Sequence, residues 1–277
     1  MTQRRARCQH GFTLVELVMV IVILGVLGGI VAVWMKGPID AYFASVRRAA
    51  LTDIADTAVR RIARDLRTSL PNSVRTDGAN CMEFIPTKTG GRYRADDTAA
   101  GLNFAAADTA FNMLGSNAAL PANQRIVAND VVVVYNLGIT GSNAYSQNNT
   151  ALIGSLGAEV AVAPGTGLET PITIASTLFP LASGNNRFQV VPGGERTVAY
   201  VCNTGTGELR RTVSAAFSAL PTCLATGPVI ANNISSCTFN YSGSDLQRNA
   251  LVSMSMQITN AGETVSLQHE VHVNNTP

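Results

Sequence analysis

Hydrophobic side chains fall along this chain in three successive rhythms. From Leu17 to Met35, 19 consecutive residues carry no charge, and at the helical rise such a run spans the hydrocarbon core of a bilayer. From about Pro38 to Leu70 the period becomes helical with two apolar stripes. Ile39, Tyr42, Phe43, Val46 and Ala50 share one face; Leu51, Ala55, Ala58, Val59, Ile62, Leu66 and Leu70 share another, nearly opposite. Lys36-Gly37-Pro38 predicts a local break between the two stretches, and Pro71-Asn72 stops the second. Beyond it, alternation predicts strands at 82–85, 130–136, 171–175, 188–191, 197–202, 208–212, 237–241, 251–259 and 264–273. The last two flank Asn260-Ala261-Gly262-Glu263, a hairpin turn. Residues 138–171 read as a loop-rich surface insertion. The expected fold is α+β: a long N-terminal helix, transmembrane in its first half, packed on a mostly antiparallel β globular domain.

The flanks of the uncharged run say what kind of segment it is. A secretory signal has a shorter apolar core and a small-x-small cleavage site. Here the run is too long, and Gly25, Leu27, Gly28 and Gly29 make no such site. Arg4, Arg5 and Arg7 precede it, so the positive-inside rule leaves the N-terminus in the cytoplasm and sends the remainder across the membrane. The expected organisation is a leader over 1–11, a membrane span over 12–36, an amphipathic helical continuation over 37–71 and a β-rich globular domain over 72–277.

Glu16 does not suit a plain anchor, because a carboxylate near the start of an apolar helix costs a few kcal/mol to insert. Its neighbours explain it. Gly11-Phe12-Thr13-Leu14-Val15-Glu16-Leu17 resembles the cleavage signature of type IV pilins and type II secretion pseudopilins. The resemblance implies that a prepilin peptidase cuts between Gly11 and Phe12 and N-methylates the new Phe12 amine. It also implies that Glu16 pairs with a free amino terminus inside the filament, since two opposite charges buried together cost far less than either alone. Gly11 then lets the peptidase approach the backbone where a Cβ would intrude. The resemblance further implies that, of the two helical stripes, the one from Leu51 onward packs on the chain's own domain and the earlier one faces neighbouring subunits; by periodicity alone, a helix buried by two parts of one domain is the alternative.

A second resemblance is spread over the domain. Val198-Ala199-Tyr200-Val201 with Gly207-Glu208-Leu209-Arg210-Arg211, the strand Cys237-Thr238-Phe239-Asn240-Tyr241 and the final hairpin are similar to J-type minor pseudopilins. With Arg64-Asp65-Leu66-Arg67 and Leu70-Pro71-Asn72-Ser73-Val74-Arg75, the pattern is also similar to the large minor pilins of mannose-sensitive haemagglutinin pilus systems. The family implies a minor subunit at the filament tip or in initiating assembly. A secretion pseudopilin and a tip adhesin are the alternatives. Its implied partners are the peptidase, major and minor pilin subunits, the inner-membrane assembly platform and membrane lipid.

Cysteine usage agrees with export. Cys8 lies in the leader, leaving Cys81, Cys202, Cys223 and Cys237, an even number suited to two disulfides in an oxidising compartment. Three pairings are possible; closure of a short loop favours Cys202–Cys223 with Cys81–Cys237. No C-x-x-C spacing suggests zinc. The 277 residues are 14% charged with a net charge of +2, and without the leader arginines 17 basic face 18 acidic side chains. No basic surface recommends nucleic acid. Beyond the leader only His269 and His272 are histidines, and their odd spacing sends them to opposite faces of a strand. There is no G-x-S-x-G, P-loop or G-x-G-x-x-G. Asp96 and Asp97 read as acids of a solvated loop rather than a calcium site, and Asp53, Asp56, Arg60, Arg64 and Arg67 as a solvated helix face with Asp56 paired to Arg60. Neither catalysis, a cofactor nor a metal is expected.

Overall fold

The computed structural model describes residues 11–95, 100–162, 167–241 and 249–277. Arg4, Arg5, Arg7, Cys8, Asp96 and Asp97 therefore lie outside the described residues. The chain divides into two compact units, one ending at Ala50 and the other running from Leu51 to Pro277.

One helix, α1, runs from Leu14 to Arg67 and supplies residues to both units. In the first unit its apolar side chains from Leu14 to Met35 are all exposed. Among the described residues it is the one helix long and apolar enough to cross a membrane. The break expected at Lys36-Gly37-Pro38 does not occur: Pro38 lies inside α1. Proline removes one backbone donor and crowds the carbonyl four residues earlier, and the helical bonds on either side carry the chain through.

In the second unit α1 buries Leu51, Ala55, Ala58, Val59, Ile62, Ala63 and Leu66, the stripe read from the sequence with Ala63 added and without Leu70, which is buried beyond the helix end. Each of the larger four contributes about 1.5–3 kcal/mol by leaving water. Asp56 and Arg60 pair at 2.7 Å on the exposed side. The helix ends at Arg67, earlier than Pro71 required, as Thr68 and Ser69 N–H groups turn back to Asp65 and Leu66 carbonyls.

The strands in chain order are β1 Arg75–Thr76, β2 Cys81–Phe84, β3 Thr89–Arg92, β4 Asp108–Leu114 and β5 Val131–Val134. Next come β6 Thr150–Leu156, β7 Val160–Ala161, β8 Leu168–Thr177, β9 Arg187–Val191 and β10 Thr197–Asn203. The last are β11 Glu208–Ser214, β12 Val229–Asn232, β13 Ile234–Tyr241, β14 Asn249–Asn260 and β15 Glu263–Asn274. All pair antiparallel: β1-β2-β10-β11-β12 in one sheet, β13-β14-β15 in another and β3-β9-β5-β6-β8-β4 in a third, with β7 added to β8. The α+β architecture is as expected. The first two sheets share one core with the helix, including Phe84, Tyr200, Phe239 and Val252. The third sheet encloses its own core around Phe111, Ile153, Phe179 and Phe188, and its ends meet at a Tyr93–Met113 bridge. Residues 138–171 are thus more than a surface insertion. They contain β6, an internal strand of the third sheet.

Asp65 ties the helix to the first sheet. Its Oδ2 accepts from the Tyr200 hydroxyl at 2.8 Å and from Arg211 Nε at 2.9 Å, and Arg211 also pairs with Glu195. Burial raises the Tyr200 pKa, and the Asp65 charge raises it further.

The cysteines form two disulfides, Cys81–Cys223 and Cys202–Cys237, with Cα atoms 6.0 and 6.2 Å apart. The expected pairing of Cys202 with Cys223 and Cys81 with Cys237 is therefore wrong. The reason is strand alternation, not loop length. Cys81 stands opposite Val201 across the β2–β10 ladder, so Cys81 and the next residue, Cys202, point to opposite faces. On the outer face Cys81, Ala199 and Val201 meet Cys223. On the helix side Cys202 meets Cys237 of β13. Non-reducing peptide mapping should recover these two links, and a Cys202–Cys223 peptide would contradict the register.

Candidate assembly site at the helix N-terminus

The start of α1 is built by a reciprocal cap. Thr13 is the last non-helical residue, and its carbonyl accepts the first intrahelical bond from Leu17 N–H at 3.2 Å. The Thr13 hydroxyl accepts from Glu16 N–H at 3.3 Å, while Glu16 Oε2 accepts from Thr13 N–H and from the Thr13 hydroxyl, each at 3.0 Å. This is the capping box, in which two orphan donors of the first turn are satisfied by side chains. Thr13 was not singled out in the sequence, although Thr-x-x-Glu ahead of an apolar run is the box's own signal. The cap gives Glu16 a local structural role beside the expected assembly role. It holds the carboxylate through Oε2.

Gly11, Phe12 and Glu16 lie together and exposed at this end, Phe12 at 88%. A Cβ built on Gly11 would meet no atom within 4 Å. Among the described residues, therefore, no neighbouring atom requires glycine there. Cys81, Cys202, Cys223 and Cys237 all sit in the second unit.

Residues 6–32 match the family model described as the prokaryotic N-terminal methylation motif. The chain carries a prokaryotic N-terminal methylation motif. That motif supports a type IV pilin-like or pseudopilin subunit, a structural rather than catalytic family, and implies processing by prepilin peptidase and assembly with other pilins. With the apolar helix it indicates a membrane-anchored single-pass protein. No curated protein and no solved structure matches the chain.

His269 is half-buried and His272 exposed, on opposite faces of β15. Among the described residues no group of three or more His, Cys, Asp or Glu side chains is placed to hold a metal.

Proposed function

We propose that this protein is a minor pilin: a non-catalytic subunit cleaved between Gly11 and Phe12, methylated at Phe12 and built into a type IV-like pilus at its tip or in initiating assembly. Residues 1–11 are the leader, 12–36 the membrane span, 37–71 the helical continuation and 72–277 the globular domain. Before assembly the N-terminus faces the cytoplasm and the domain faces the periplasm, where the two disulfides form. The assembly platform of the inner membrane and the major and minor pilins are its partners.

The observation that carries this reading is the junction itself. Gly11, an exposed Phe12 and a carboxylate four residues after Phe12 stand at the head of a helix whose apolar side chains from Leu14 to Met35 are all exposed. The size of the domain, with a whole extra sheet and core, favours a minor subunit, since bulk is accommodated at a tip more easily than along a packed shaft. The spread of domain motifs similar to the large minor pilin of mannose-sensitive haemagglutinin systems points the same way. Quantifying the chain against the major subunit in sheared filaments tests it: a few copies per filament are expected, and near-equal copies would make it a shaft subunit instead.

A further inference from the structure

The two disulfides cross in the order of the chain. Cys81 bonds Cys223 and Cys202 bonds Cys237, so neither joins a domain cysteine to the next one along. The native partners are 142 and 35 residues apart, whereas Cys202–Cys223 and Cys223–Cys237 are separated by only 21 and 14. In an unfolded chain, closure becomes rarer as about the three-halves power of loop length. The 14-residue loop therefore closes about thirty times as often as the 142-residue one. Order of arrival opposes the native pairs too. A domain that follows an N-terminal helix across a membrane delivers Cys81 first and Cys237 last, so Cys202 arrives with only Cys81 to meet.

The first sheet makes each wrong bond incompatible with the fold. Cys81 and Cys223 lie on its outer face, Cys202 and Cys237 on its helix side. Each of the four non-native pairs therefore takes one cysteine from either side and has to cross the sheet. The β2–β10 register forbids this, because Cys81 stands opposite Val201 and the next residue, Cys202, points to the reverse face. A crossing bond keeps Phe84, Tyr200 and Phe239 from closing their shared core. Nor can a wrongly bonded domain correct itself. With two wrong bonds all four of its cysteines are used, and Cys8 lies in the leader. Exchange needs an attacking thiolate, which must then come from another molecule.

We infer that this domain is a client of a thiol–disulfide isomerase, which converts wrongly paired chains to the crossed pattern; the compartment rests on the export reading above. Each first-formed bond passes two electrons and two protons to a disulfide-bearing protein oxidant. In the exchange, the isomerase thiolate attacks Cys223 of a Cys223–Cys237 bond, forming a mixed disulfide and releasing the Cys237 thiolate. Cys237 attacks Cys202 of the Cys81–Cys202 bond and releases Cys81. Cys81 then attacks Cys223 and returns the isomerase thiolate. Two disulfides and one thiolate stand at both ends, so the exchange consumes no oxidant.

The full chain in its native cells, with and without the disulfide isomerase of that compartment, tests this once thiols are blocked and links are mapped without reduction. With the isomerase, the native links should be complete. Without it they should fall to about one chain in seven, the share that loop closure alone gives, with Cys223–Cys237 the leading product. An isomerase lacking the second cysteine of its C-x-x-C should be trapped as a mixed disulfide with this chain. The double variant Cys81→Ser with Cys223→Ser can form only one bond, and it should keep Cys202–Cys237 in full in both cells. Complete native links without the isomerase would show that folding directs oxidation and would overturn the inference. A missing trapped adduct, or a double variant that still needs the isomerase, would do the same. Four free thiols in cells that have the isomerase would overturn the export reading along with it, so the two failures are distinguishable.

Discussion

Glu16→Ala is expected to abolish incorporation into filaments while leaving the protein in the membrane. Removing the carboxylate makes the span more apolar, so insertion survives. The second unit, which begins at Leu51, should keep its thermal midpoint. What fails is assembly, since the Phe12 amine of a packed subunit would stay charged without a partner among apolar helices. The cap complicates a single substitution, because alanine also takes away the acceptor for Thr13 N–H and hydroxyl. Glu16→Gln separates the two roles: an amide oxygen still caps the helix but carries no charge. Loss of both variants from sheared filaments assigns the defect to the charge. Normal assembly of Glu16→Gln with loss of Glu16→Ala would reduce Glu16 to a helix cap.

Asp65→Ala should be the most damaging polar substitution in the globular unit. It withdraws the acceptor shared by Tyr200 and Arg211 and leaves both groups, largely shielded from water, with part of their hydrogen bonding unmet. Arg211 keeps Glu195, which limits the cost to about 2–3 kcal/mol. For a unit of this size that is a fall of about 5–10 °C in Tm. A second readout follows from charge. Burial and then Asp65 hold the Tyr200 pKa above the ordinary tyrosine value. The unfolded phenol therefore ionises first, and stability declines as pH rises beyond about 10. In Asp65→Ala one cause of the shift is gone, so Tyr200 should form phenolate at lower pH by ultraviolet absorbance. An unchanged titration and an unchanged Tm would show that Asp65 does not anchor the helix.

The sequence exposed some of this plainly and hid the rest for physical reasons. The membrane run and the Leu51–Leu66 stripe were legible because one environment covers many consecutive residues, so composition and period agree. Val131–Val134 and the β14–β15 hairpin were legible for the same reason, and Ala261 and Gly262 take the positive φ of 48° and 82° that such a turn needs. Strand β8 was cut short at Pro171, which lacks a ladder donor, although its carbonyl still accepts from Gly157 N–H. Strand β6 was missed because Gly154 and Ser155 interrupt its apolar alternation, and its register shifts between Ile153 and Ser155. The disulfide pairing depended on which face of the β2–β10 ladder each cysteine occupied, and that is decided by pairing between distant segments. At the helix N-terminus the Thr13–Glu16 cap could have been read from the spacing of the two residues, since Thr-x-x-Glu ahead of an apolar run is its signal.

The most direct measurement of the central claim is the N-terminus of the mature chain. Intact mass and N-terminal peptide analysis of protein taken from its native membrane should find a chain beginning at Phe12, with one methyl group on its amine and Cys8 gone. A mature chain that retains Met1, or one that begins beyond Trp34, would contradict the pilin reading.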